Sequence, residues 1–136
     1  MPEFGNFADR RAHPRYILSL EGTAEALYRR TLDVAYGDPE LKGKSRFKID
    51  VVNISKGGLL LTFDTEISSG DSIQMFFIHP LRKEEIVLEG QVTWMRKNAS
   101  GIGGRYCGGI SFKNTPEEMI DDLVNFAASK HPMPLT

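Results

Sequence analysis

Three arginines and a short run of small polar residues are the positions of this chain best suited to holding an anion. Arg10, Arg11 and Arg15 lie in the string Arg10-Arg11-Ala12-His13-Pro14-Arg15, and Asn53, Ser55 and Gly58 lie in Asn53-Ile54-Ser55-Lys56-Gly57-Gly58. A guanidinium is a planar fork of donors that grips phosphate oxygens in pairs and stacks on a base. It also reaches the O6 and N7 acceptors of guanine. Pro14 biases His13 away from helical geometry, so Arg11 and Arg15 fall on an extended or turned segment. Four residues of extended chain cover about 13 Å, enough for the two to bracket a dinucleotide. Asn53 and Ser55, on alternate positions of a strand end, point to one side and can pair with a purine edge. Gly58 lets the backbone turn, or lets a flat ring approach where a Cβ would stand in the way. Taken singly, each string also has a plain structural reading. Arginine-rich hexapeptides are common as solvated surface, and an Asn-x-Ser-x-x-Gly run often ends a strand in a turn.

The elements that must carry these residues read as strands. Ala24, Ala26, Tyr28, Leu32 and Val34 alternate with polar neighbours, and a loop punctuated by Gly37-Asp38-Pro39 and Lys42-Gly43-Lys44 follows. Phe47, Ile49 and Val51 begin the next alternation, and Gly57-Gly58 separates it from a strand that starts at Leu59 and ends near Phe63. A turn at Ser68-Ser69-Gly70-Asp71 leads into a strand from Ile73 to Ile78. The clearest alternation runs from Ile86 to Met95. It sets Ile86, Leu88, Val92 and Trp94 on one face, which assigns Trp94 to the core. After Gly101, Gly103 and Gly104 the last strand passes through Gly109-Ile110-Ser111-Phe112. Six or seven short strands of this kind predict a closed barrel or a sandwich, an all-β fold with one helix at its C-terminal end. That helix, over about 115–129, is expected to start with Thr115 as N-cap, Pro116 in the first turn and Glu118 completing a capping box. Met119, Ile120, Leu123, Val124 and Ala127 form its apolar stripe, and it is expected to pack on the barrel as a lid over one end.

Read together and in this order, the two strings resemble the signature of the PilZ family of cyclic di-GMP receptors, RxxxR followed by [D/N]xSxxG. Val92-Thr93-Trp94-Met95-Arg96 is similar to a later strand of that family, and Gly109-Ile110-Ser111-Phe112 before a helix is similar to its closing segment. The resemblance covers residues 10 to 127. It implies a six-stranded antiparallel β-barrel with a C-terminal helix, in a stand-alone domain over 9–130 between tails at 1–8 and 131–136. It implies a receptor without catalysis or cofactor, whose ligand is cyclic di-GMP. Arg11 and Arg15 would hold phosphate and guanine, with Asn53 and Ser55 as the polar pair and Gly58 as the glycine of the motif. An arginine directly before the pair goes with two intercalated ligand molecules in the family, and Arg10 stands there. A tryptophan near Trp94 stacks on the ligand at the barrel rim in the family, which gives that residue a second reading. Asn53 replaces the commoner Asp, and the stretch between Tyr36 and Arg46 is long for a first hairpin.

Composition excludes several other classes. At 136 residues with 40% hydrophobic content the chain can bury a core, and a formal net charge of −1 does not suit a nucleic-acid or membrane surface. The start Met1-Pro2-Glu3-Phe4-Gly5 lacks a basic run followed by an apolar one, so the expected location is the cytoplasm. The lone Cys107 is read as a small buried residue, and His13, His79 and His131 stand too far apart for a metal site. Gly101, Gly103 and Gly104 are followed by Tyr106 where a dinucleotide fingerprint needs glycine. The expected mode of action is a ligand-driven change of shape that reaches a downstream protein. A ligand-independent adaptor and a small RNA-binding barrel are the alternatives, and the exposed helix face leaves room for a homodimer.

Overall fold

A computed structural model describes residues 13–27 and 46–135 of the chain. The expected N-terminal tail, Arg10, Arg11 and most of the long stretch after β1, including Tyr28, Leu32 and Val34, lie outside the described residues. Within them the order is β1 (Tyr16–Ala26), β2 (Phe47–Ile54), β3 (Gly58–Phe63), β4 (Ser72–Ile78), β5 (Glu85–Lys97), β6 (Tyr106–Phe112) and helix α1 (Glu117–Lys130). All ladders are antiparallel and the sheet closes on itself in the order β1-β2-β3-β6-β5-β4. The architecture is the six-stranded barrel with a C-terminal helix implied by the resemblance. Closure removes the sheet edges that would otherwise invite pairing with other chains.

Alternating apolar residues build the interior. Ile49, Leu61, Ile73, Met75 and Leu88 are shut inside, and Ile120, Leu123, Val124 and Ala127 of α1 join the same core. The helix packs against β1 and β2. Met119, the remaining member of its stripe, is only partly buried against that core. The helix start differs from the sequence expectation. Pro116 is the N-cap, with φ −59° and ψ 133°, and no side chain caps it. Thr115 is drawn to a distant partner instead. Its hydroxyl accepts from the Glu89 N–H at 2.9 Å, clipping the helix entry to β5, and its proton is shared between the Glu89 and Lys113 carbonyls at 3.0 and 2.8 Å. Cys107 is half-buried, not buried, because it lies on the outer side of β6.

A second clip joins α1 to the turn between β4 and β5. The N–H groups of Leu81 and Arg82 donate to His79 Nδ1 at 3.1 and 3.2 Å, so the ring proton belongs on Nε2, which faces Asp122 Oδ2 at 2.9 Å. The imidazole is 1% exposed and meets Phe126 edge-on. Arg82 also reaches Asp122, at 2.6 Å, and Glu84, at 2.7 Å. The hydrogen bond from Arg82 lowers the Asp122 carboxyl below its ordinary value, against partial desolvation, and the bond to His79 lowers it further.

Candidate ligand-binding site

Two irregularities in the ladders decide which way the motif residues face. Between Val51 and Asn53 the register of β2 against β3 shifts by one residue, and β1 against β2 shifts between Ile17 and Leu20. Between Val92 and Trp94 the pairing of β5 with β6 shifts in the same way. An extra residue in one strand inverts the in–out alternation beyond it. Beyond the first shift Ile54 faces the core, and Asn53 stands opposite Ile17 and Leu60. Beyond the second, Trp94 leaves the face of Ile86, Leu88 and Val92 and lies on the barrel exterior, 38% exposed. The expectation that Trp94 belongs to the core fails for this reason.

The result is a row across the outside of five strands, paired in the order Ile17, Asn53, Leu60, Gly109, Trp94. Over this row opens a cleft of about 250 Å³ whose lining includes Arg15, Asn53, Ser55, Gly58 and Trp94. The structure therefore brings together every described residue that the sequence singled out for the site. Asn53 is 6% exposed, and no described residue hydrogen-bonds to its side-chain amide. The Ser55 hydroxyl accepts from the Gly57 N–H at 3.2 Å, which leaves its own proton free to donate. The backbone N–H of Ser55 donates to the Gly58 carbonyl at 2.9 Å, and the Phe112 N–H to the Gly57 carbonyl at 3.0 Å, so the turn is fixed to β6.

Gly58 has a structural reason of its own. A Cβ there would stand 1.8 Å from the Ile110 carbonyl oxygen, so β3 and β6 approach too closely for a side chain. Gly109 plays the matching part at the other end. Its missing Cβ would lie 2.3 Å from Trp94 Nε1, so the indole lies across the bare backbone of β6. The Arg96 guanidinium sits 4.8 Å from the centre of the indole and adds positive charge beside that wall. On the far side the backbone of Arg15 is tied down, since the Leu135 N–H donates to its carbonyl at 2.7 Å.

Sequence reasoning missed Leu60, Thr93, Gly109 and Ser111, which also line the cleft. Thr93 donates from its hydroxyl to the Gly109 carbonyl at 3.0 Å and so fixes the bulged stretch of β5. A pair of glycines inside a strand, Gly108-Gly109, was the available signal, because such glycines often mark close approach of backbone or ligand. Among the described residues no group of His, Cys, Asp and Glu could hold a metal ion, and no helix is long and apolar enough to cross a membrane.

The model of the PilZ domain family matches residues 9–129. The chain belongs to the PilZ domain family. Solved structures of similar shape include the Bacillus subtilis inhibitor of motility MotI/DgrA, with TM-score 0.65 and 13% identity over 90% of this chain and 51% of that one. The chain thus spans about half the length of that protein. The PilZ domain of YcgR from Escherichia coli, solved with c-di-GMP, gives TM-score 0.61 and 15% identity over 89% of this chain and 93% of that domain. The PilZ domain of CeSA from a cellulose-synthesizing bacterium gives 0.51 and 10% identity over 85% and 96%. No curated protein sequence matches the chain. At these identities the likeness to solved structures is one of PilZ fold.

Proposed function

We propose that this PilZ domain is a receptor for cyclic di-GMP and binds it in the cleft between Arg15 and Trp94. The observation that carries the reading is convergence. Arg15 precedes β1, Asn53 and Ser55 lie at the end of β2 and Trp94 lies in β5, and two register shifts accompany their meeting on one side of the barrel. Cationic forks, an unengaged amide, a hydroxyl free to donate and a flat indole are the groups that a phosphate-linked pair of guanines requires. The YcgR domain of the same fold, solved with c-di-GMP, supports the choice of ligand.

In this mechanism Arg11 and Arg15 hold phosphate and guanine, Asn53 and Ser55 take the purine edge, and Trp94 offers a stacking face. Gly58 keeps β3 against β6 so that the polar pair stays in place. Arg10 adds the charge that a second, intercalated ligand needs. Drawing the arginine segment onto the strand end changes the surface offered to a downstream protein, and the domain performs no chemistry on its ligand. Calorimetric titration with cyclic di-GMP, with GTP as control, tests the reading. Saturable binding selective for cyclic di-GMP is expected, with a stoichiometry near two that falls toward one in Arg10→Ala. Arg11→Ala is expected to weaken binding by about 1.5–3 kcal/mol, roughly ten- to a hundredfold. An Arg11→Ala domain that binds as tightly as the parent would sink the assignment. Absence of heat with the parent chain would leave a PilZ barrel that works as a protein adaptor.

A further inference from the structure

On the side of the barrel away from the cleft, β1, β4 and β5 present an exterior that no described element covers. In the closed strand order β4 lies opposite β3, the centre of the cleft floor. The ladders of β4 with β1 and with β5 run without register shifts, so their outer residues form regular rows. Phe76 pairs with Thr23 on one side and Val87 on the other, and Ile78 pairs with Glu85. Ile78 is 52% exposed and Val87 is also exposed, an apolar strip on a surface where neighbouring positions are carboxylates. A dent of about 230 Å³ opens beside the strip, with Glu21 and Glu85 among its lining and Arg46 also lining it, against Phe76. Gly22 in the floor has no room for a side chain, since a Cβ there would stand 2.4 Å from both the Phe76 carbonyl and the ring of Phe77, which is buried in the core.

We propose that this face is a docking surface for a basic segment of a partner protein, one that sets an arginine into the dent and an aliphatic side chain on Ile78 and Val87. The face already shows how it treats a guanidinium. Arg46 lies 4.1 Å above the Phe76 ring and 3.7 Å from Glu25, held by an aromatic face and a carboxylate together. Glu85 forms no ion pair among the described residues, and Glu21 has only a stretched, solvent-exposed contact to Lys48 at 4.0 Å. Both carboxylates are therefore available to an incoming cation. Glu21, Glu25 and Glu85 outnumber Arg46 and Lys48 on this face, a balance that favours a basic peptide over nucleic acid or anionic lipid. Three adjacent strands span about 10 Å between their outer backbones, the width of one helix or strand with its side chains. An arginine anchor with apolar contact around it matches the composition of energetic centres in protein interfaces. Because the face is across the barrel from the cleft, a partner can sit there with the cleft filled or empty.

The test uses the full chain, isotope-labelled for amide NMR, and a short synthetic amphipathic peptide carrying arginines beside leucines. A version with glutamate in place of each arginine is the control. Saturable shifts are expected at Gly22, at Phe76 to Ile78 and at Glu85 to Val87, with none from the control. Glu85→Lys and Ile78→Glu, both at exposed positions, should each weaken the peptide roughly tenfold or more. Shifts at Asn53 and Trp94 in place of those residues, no shifts at all, or equal binding by Glu85→Lys would each overturn the proposal. Sedimentation of the chain alone supplies the remaining arm. Self-association that Glu85→Lys abolishes would make the occupant a second copy and overturn the choice of partner, and a monomer at all concentrations supports it.

Discussion

Asn53 and His79 are both polar residues with little exposed surface, 6% and 1%, and their surroundings could hardly differ more. His79 has each ring nitrogen engaged, one by the N–H groups of Leu81 and Arg82 and the other by Asp122. Asn53 has no hydrogen bond to its amide from any described residue, and it lies on a cleft. A polar group sealed from water costs free energy unless it finds partners, so the His79 arrangement needs a cause. For His79 the cause is the fold, because its partners join the β4–β5 turn to α1. Asn53 needs no such cause, because its amide is not sealed from water but opens on the cleft, where the proposed ligand would replace that water. A satisfied buried polar group marks a joint, and a polar group left open on a cleft is available to something else.

The sharpest way to break this contrast is His79→Leu. It removes the acceptor for two backbone N–H groups and the partner of Asp122, and should cost about 2–4 kcal/mol of stability. Thermal or urea unfolding checks the loss, and titration of the folded protein should give unchanged affinity for cyclic di-GMP. The mirror-image result belongs to Asn53→Ala. Affinity should fall roughly tenfold, about 1.4 kcal/mol, while the unfolding midpoint holds or rises slightly because no protein hydrogen bond is lost. A large drop in stability with affinity intact would mean that Asn53 is a second joint.

The smallest effect is one of acidity. The Asp122 carboxyl is lowered in the folded state by Arg82 and His79, so the folded protein binds that proton less readily than the unfolded chain. The stability this lends is complete above the ordinary value of 3.8 and is lost as pH falls through the lowered folded value. Asp122→Asn should therefore unfold more easily at neutral pH and show a flatter loss of stability on acidification. Because the pair is more than a third exposed, the change in midpoint should be modest. Parallel acid limbs for parent and variant would assign the acid sensitivity to other carboxylates.

Much of the fold was legible because alternation in strands is a local signal. The strands through Ile49, Leu61, Ile73 and Leu88 could be read from their apolar spacing, and so could the stripe of α1. The motif residues of the site were legible as types at fixed spacings, and Asn53, Ser55 and Arg15 do meet at one cleft. What could not be read comes from distant partners. Trp94 was assigned to the core by counting in twos, and one extra residue in β5 turns it outward. Thr115 looks like a cap until Glu89, on another strand, claims its hydroxyl. Gly58 looks like a turn glycine until the Ile110 carbonyl is found in the space its Cβ would need. Local chemistry proposed the site, and long-range contact set its orientation.

The position of Trp94 has an optical consequence. It is the sole tryptophan of the chain, and it forms a wall of the cleft with the Arg96 guanidinium over its ring. Light at the red edge of protein absorption excites that indole in preference to the tyrosines, so its emission reports from one known place. A purine stacked on it would quench that emission, and a displaced Arg96 would shift its colour. The cleft thus carries its own lamp, and its filling can be followed in unlabelled protein as it happens.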